Sequence, residues 1–204
     1  MAQYLEQIKE IGRQVEQLAG SEVRAQVMAG SEVLKGTSKP DEIAHWVQGA
    51  MARLDALVEP EVASRIMLAC GYNCARMNKT PLERAKARRR KFKTLDEFLE
   101  AEQRHPPAGT RLVHEGDVLY QFYTPSAFTR PMRCYCSLLR GLPAEETASL
   151  TYCQCSRGFV QMYWEGILGR PVEVELVGSC VSGAQECQFI IHLTAVDRQP
   201  APSE

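Results

Sequence analysis

Every cysteine in this chain has a second cysteine within seven positions of it. Cys70 and Cys74 form a Cys-x-x-x-Cys. Cys134 with Cys136, and Cys153 with Cys155, form two Cys-x-Cys pairs, and Cys180 and Cys187 make a wider pair. Paired thiolates bring several soft ligands to one ion, and zinc and iron–sulfur sites are assembled from such pairs. The same spacing also allows a dithiol that cycles with a disulfide. Eight scattered single cysteines would read as small buried hydrophobes; the pairing is what points to a metal or redox site.

The elements expected around these residues suggest how the sulfurs group. A helix is expected from about Cys153 to Leu168, with Phe159, Val160, Tyr163, Trp164, Ile167 and Leu168 in its apolar positions. Cys153 and Cys155 then lie at its start, where free backbone N–H groups and the helix dipole favour thiolate. Cys180 and Cys187 bracket a hairpin connection and can face each other. A helix start against that hairpin would present Cys153, Cys155, Cys180 and Cys187 to one tetrahedral ion, zinc or alternatively an iron–sulfur cluster; otherwise some of them are core thiols. RCYCSLL is strand-like, which would put Cys134 and Cys136 on one side of it. Cys70 and Cys74 are four apart on a helix and share a face. They could complete a second site with Cys134 and Cys136, act as a redox dithiol, or be two buried thiols.

The first half reads as helices. Leu5, Ile8, Ile11, Val15 and Leu18 form one stripe, and a second segment starts at Ser21 and fades at Gly36. A third opens at Pro40, and a fourth runs from Pro60 towards Met77. After the basic stretch ERAKARRRKFK comes a short helix, TLDEFLEAEQ, capped by Thr94 with Glu97 three residues on. His105-Pro106-Pro107-Ala108-Gly109 is the clearest break. Beyond it, RLVHE and VLYQFYT flank Gly116-Asp117 as a hairpin. VEVELVG and CQFIIHLTAV are two more strands joined by a turn at Ser182-Gly183. The expected fold is therefore α+β: a helical region over 1–105, then an antiparallel-sheet-plus-helix domain over 108–197.

At 204 residues and 45% hydrophobic, the chain can bury a core without cross-links. Its first residues carry Glu6, Glu10 and Glu16 and lack the apolar stretch of a signal peptide. No apolar run reaches the ~18 residues of a membrane helix. These features point to the cytoplasm, where thiols stay reduced and paired cysteines serve metals or redox chemistry before disulfides. A net charge of −1 argues against a general polyanion binder. Seven basic residues lie between Arg84 and Lys93, and the expectation is a solvated helix face rather than a nucleic-acid surface. Of the histidines, His192 alternates with core residues in the last strand, and His114, beside Glu115 and a turn, is the better candidate for chemistry. Tyr120, Phe122 and Tyr123 with Trp164 either line a pocket for a small apolar molecule or form core.

The stretch CQCSRGFVQMYWEGILGRPVEVELVGSC, followed by Gly183 and ECQFIIHL, resembles the 4-vinyl reductase domain family. The resemblance covers about the last ninety residues and includes a Gly-aromatic pair opening a helix, Gly-Arg closing it and a final Cys-x-Phe strand. That family includes ligand-sensing domains of transcriptional activators and proteins linked to bacteriochlorophyll synthesis. Several hold a structural zinc at positions matching Cys153, Cys180 and Cys187. Some use a glutamate three residues before the first hairpin cysteine, where this chain has Val177; Cys155 is the natural substitute. The resemblance implies a homodimer and a small-molecule-binding or sensory role. A redox or electron-transfer protein using a cluster or dithiol is the alternative. With its CGYNCA and CQCSRGF segments, the whole chain is also similar to a cysteine-rich prokaryotic family with no assigned function.

Overall fold

The computed structural model describes residues 3–124 and 134–194. The chain is α+β. Helices α1 (Gln3–Val27), α2 (Pro40–Leu57), α3 (Pro60–Met77), α4 (Lys79–Arg89) and α5 (Leu95–Arg104) come first. Strands β1 (Thr110–Glu115) and β2 (Val118–Tyr123), helix α6 (Leu150–Leu168), and strands β3 (Glu173–Gly178) and β4 (Cys187–His192) follow. No helix of the described residues is long and apolar enough to cross a membrane.

Local chemistry sets most of these bounds. Pro60 and Pro40 open α3 and α2, where a missing N–H costs nothing. At α5 the Thr94 hydroxyl accepts from the Glu97 N–H at 3.2 Å, and the Glu97 carboxylate accepts from the Thr94 N–H at 3.3 Å. Ser149 caps α6, and Gly169 ends it with φ 70°. Ser21 does begin a new helical stretch, but within α1: Gly20, at φ 89° and ψ 168°, kinks the helix rather than ending it. That stretch stops at Val27, short of Gly36, and a 3-10 turn covers Ser31–Val33.

The sheet is antiparallel in the order β1-β2-β4-β3, and α6 lies on one face. Leu119 and Gln121 are buried on that face, and Gln121 accepts from the Trp164 indole N–H at 2.7 Å. Tyr120 and Phe122 alternate to the other side, where the Arg111 guanidinium lies 3.6 Å over the Phe122 ring. One expectation is corrected. Arg133 lies outside the described residues, but from Cys134 onward RCYCSLL is a turn and not a strand. The Cys136 carbonyl accepts from both Leu139 (3.2 Å) and Arg140 (3.0 Å), which folds the chain back on itself.

Two apolar cores form, and both draw on residues from either side of the Pro106-Pro107 break. One joins Ile11, Val47, Leu54 and Ile66 to Leu139 and Tyr152. The other joins Phe98 and Leu99 to Leu119, Trp164 and Phe189. Helices α3 and α6 cross where each carries a glycine. A Cβ on Gly71 would lie 2.0 Å from the Cys155 carbonyl oxygen; one on Gly158 would lie 2.3 Å from the Leu68 carbonyl oxygen. The two backbones touch, and only glycine permits it.

Gly71→Ala should therefore force the helices apart and cost ~2–3 kcal/mol or more, since backbone cannot yield as a side chain can. The same substitution at Gly36, which has open space around its Cβ position, should change stability little. Urea unfolding of the two variants checks this, and equal midpoints would refute backbone contact at the crossing.

Candidate functional site

The crossing decides where the cysteines go. Cys153 and Cys155 sit two apart on α6 and so point about 200° apart around it. Cys153 turns to the β3–β4 hairpin, where its sulfur lies 2.8 Å from the Ser179 hydroxyl. Cys155 turns to α3 and lines a cavity with Cys70 and Cys74. The two members of the other Cys-x-Cys pair also differ in what they line. Cys136 joins the α3–α6 cavity, its sulfur 3.0 Å from the Tyr152 hydroxyl, whereas Cys134 is not among that cavity's walls, though Cys136 is the strongest charge it feels, ahead of Cys153 and Cys187. The sequence suggested Cys153, Cys155, Cys180 and Cys187 as one set and Cys70, Cys74, Cys134 and Cys136 as the other. In the structure Cys155, and not Cys134, lines the cavity with Cys70, Cys74 and Cys136.

In the hairpin group the Ser179 hydroxyl sits between the sulfurs, 2.8 Å from that of Cys153 and 3.9 Å from that of Cys187. The Cys187 sulfur also accepts from the Cys180 N–H at 3.5 Å. The Cys180 thiol is aimed instead at the Gln185 carbonyl, 3.3 Å away. Val177, three residues before Cys180, is exposed. Ser179 and the Gln185 carbonyl are thus the partners of these thiols in the metal-free chain.

The α3–α6 group surrounds a cavity of about 30 Å3 lined by Cys70, Cys74, Cys136, Cys155 and Tyr152, with Gln7 and Glu10 of α1. Polar groups reach its sulfurs. Asn78 Nδ2 lies 3.5 Å and Gln7 Nε2 3.9 Å from Cys74 Sγ. Glu10 is fixed by Arg13, Gln14 and Asn73. Burial works to raise its carboxyl, and hydrogen bonds from those three side chains outweigh it and hold it below the usual carboxylate range. All eight thiols are free, and among the described residues no three Cys, His, Asp or Glu side chains are grouped as a ligand set for a metal ion.

The expected activation of Cys153 and Cys155 by a helix start is corrected. Helix α6 begins three residues before Cys153, at Leu150, so both lie past its first turn. Burial dominates instead. It pushes Cys153 up to about 12, and it raises Cys155 with the help of charge on Cys136, Cys70 and Cys74. Cys70, Cys74 and Cys134 are raised by burial as well.

Beside the thiol cavity lies a cleft of about 460 Å3, and Gln7, Cys74, Cys136 and Cys155 line both. Asn78, Arg140 and Ser156 supply polar groups to the cleft. Pro81, Thr110, Tyr123 and Phe159 line its far wall and also an inner pocket of about 160 Å3 that reaches Tyr163 and Trp164. Tyr123 and Trp164 thus face a cavity, while Tyr120 and Phe122 are not among its walls. Gln7, Asn78, Tyr152 and Arg140 carry no motif, so sequence spacing does not single them out. His114 is taken up by the Gly116 carbonyl (2.8 Å) and His192 by Glu175 (2.5 Å). In the basic stretch, Arg88 makes two hydrogen bonds to buried Glu102 at 2.7 and 2.8 Å, tying α4 to α5.

The sequence profile of a family of unknown function, DUF6144, matches residues 2–197. No curated protein matches the chain. The crystal structure of the Fe(II) unliganded H-NOX protein from K. algicida superposes on 96% of this chain and 98% of that chain, at 15% identity and a TM-score of 0.49. At that identity and score the similarity carries no function with it.

The raised thiols make stability depend on pH in one direction. The unfolded chain releases the Cys153 proton near 9.0, while the folded chain keeps it to about 12. Above pH ~9 the unfolded state binds fewer protons, so stability falls by up to about 1.4 kcal/mol per pH unit for each such thiol. Urea unfolding of the metal-free chain should show lower stability at about pH 10 than at about pH 8, with a shallower fall in Cys153→Ala. A flat profile would contradict the burial of these thiols.

Proposed function

Because the chain belongs to the family of unknown function DUF6144, membership brings no activity with it, and we propose from the geometry that it binds a small molecule in the cleft between α3 and the α6–sheet layer. The single observation that carries this is that the cleft and the inner pocket share the wall made by Pro81, Thr110, Tyr123 and Phe159. The walls run from aromatic at Phe159, Tyr163 and Trp164 to polar at Asn78, Ser137 and Arg140. Ligand sites are concave, largely apolar and supplied with a few oriented polar groups. The ligand this suits has an aromatic or apolar body, seated in the inner pocket, and a hydrogen-bonding or anionic end at Arg140. The resemblance of the last ninety residues to a family with ligand-sensing members supports the reading and suggests a sensory use of binding. The raised thiols weigh against a reactive dithiol at neutral pH, since the thiolate is the nucleophile.

Binding can be followed by the fluorescence of an anionic apolar dye and by displacement with small aromatic carboxylates and their neutral amides. Thr110 borders both the cleft and the inner pocket, so Thr110→Trp should abolish saturable binding. Arg140→Ala should weaken carboxylates about tenfold and leave the amides nearly unchanged, in line with the loss of one charge-assisted hydrogen bond. Dye binding that neither variant alters would place the ligand elsewhere.

A further inference from the structure

We propose that Cys70, Cys74, Cys136 and Cys155 form a four-thiolate site for one soft divalent metal ion, such as zinc or iron(II), loaded from the cleft. This inference does not rest on the ligand reading above; it concerns a different cavity with a different occupant.

Four observations support it. First, the sulfurs come from three separate places: α3 supplies two, α6 one, and the turn after Cys134 one. All four line a single cavity because α3 and α6 touch at Gly71 and Gly158. Four-cysteine sites are built from ligands that distant segments contribute in this way. Second, the cavity is about 30 Å3, a small fraction of the cleft of about 460 Å3 beside it. Third, polar groups of neighbouring residues already point at the sulfurs. Gln7 and Asn78 approach Cys74, and the Tyr152 hydroxyl approaches Cys136. Hydrogen bonds to ligating atoms orient them and tune the metal they bind. Fourth, Gln7, Cys74, Cys136 and Cys155 border the open cleft too, which gives an ion a way in.

Binding is a proton-for-metal exchange with no change of oxidation state. Four thiols release four protons to solvent, and four sulfur–metal bonds form. Without a cation this is unfavourable, because burial opposes the ionisation of Cys70, Cys74 and Cys155, and for Cys155 the negative charge of neighbouring thiolates adds to it. A divalent ion removes that opposition. The sulfurs are not yet grouped as ligands, so they must draw in from the cavity wall to bond distances of about 2.3 Å. Glu10 also lines the cavity, but its oxygens are already occupied by Arg13, Gln14 and Asn73.

The test uses the full chain, reduced, stripped of metal and titrated anaerobically with Co2+ alone and then with Zn2+. The expected result is a sulfur-to-cobalt charge-transfer band that Zn2+ bleaches, with about four protons released per ion near neutral pH. Cys70→Ser, Cys74→Ser, Cys136→Ser and Cys155→Ser should each lose the band or weaken cobalt binding at least about tenfold, whereas Cys134→Ser should keep it. Loss in Cys134→Ser with retention in Cys155→Ser would overturn the grouping, and no band in the unmodified chain would overturn the site. Should a serine variant fail to fold, alkylation mapping of the unmodified chain decides. In mild urea, where the metal-free chain opens to reagent, zinc should protect Cys70, Cys74, Cys136 and Cys155 from iodoacetamide; protection that omits Cys155 or Cys70 refutes the proposal.

Discussion

The contact of two helix backbones at Gly71 and Gly158 underlies the rest of this molecule. Helices normally keep 8–10 Å between axes because side chains fill the space. Here a Cβ on either glycine would collide with a carbonyl of the other helix. The approach brings α3 against the face of α6 that carries Cys155 and Phe159. It also closes one end of the cleft. Each glycine belongs to a cysteine motif, Gly71 to CGYNCA and Gly158 to CQCSRGF. The motifs thus encode a meeting of two helices along with the thiols that meet there.

Helix α1 keeps that meeting in register with the turn after Cys134. Gln7 lies 3.9 Å from the Cys74 sulfur through its amide nitrogen and accepts from the Ser137 hydroxyl at 3.0 Å through its oxygen. One side chain so spans α1, α3 and the turn that carries Cys136. Glu10 reaches α3 through Asn73. Such amide and carboxylate bridges satisfy polar groups that partial burial would otherwise leave costly, and they restrict how the thiol cavity can deform.

The cleft has two chemically distinct ends. At one are thiols, Cys74 and Cys155 among them raised by burial; at the other are aromatic side chains, with Tyr123 edge-on to Phe189 at 5.4 Å and to Tyr135 at 5.8 Å. Residues from α1, α3, α6, β1 and β2 all contribute to its walls, so a change in occupancy at either end would be felt by helices and sheet together.

Period and punctuation in the sequence were enough for the four strands and for most of the helices, the segment from Ser21 excepted, which continues α1 instead of standing alone. The apolar stripe of α1, the Thr94–Glu97 cap, the Gly116-Asp117 turn and the Gly169 stop are local effects, set by backbone geometry within a few residues. The stretch at Cys134 misled because Cys-Tyr-Cys alternates as a strand does, while its real partners are carbonyl contacts of a turn that period-2 spacing does not register. That all eight cysteines are paired is legible in the sequence. Which pairs face each other was decided by tertiary structure, since two residues on a helix point to opposite sides and only the position of α3 and of the hairpin says what stands there. The close crossing has the same status: a glycine in a sequence is a permission, and the carbonyl that makes it a requirement comes from nearly ninety residues away.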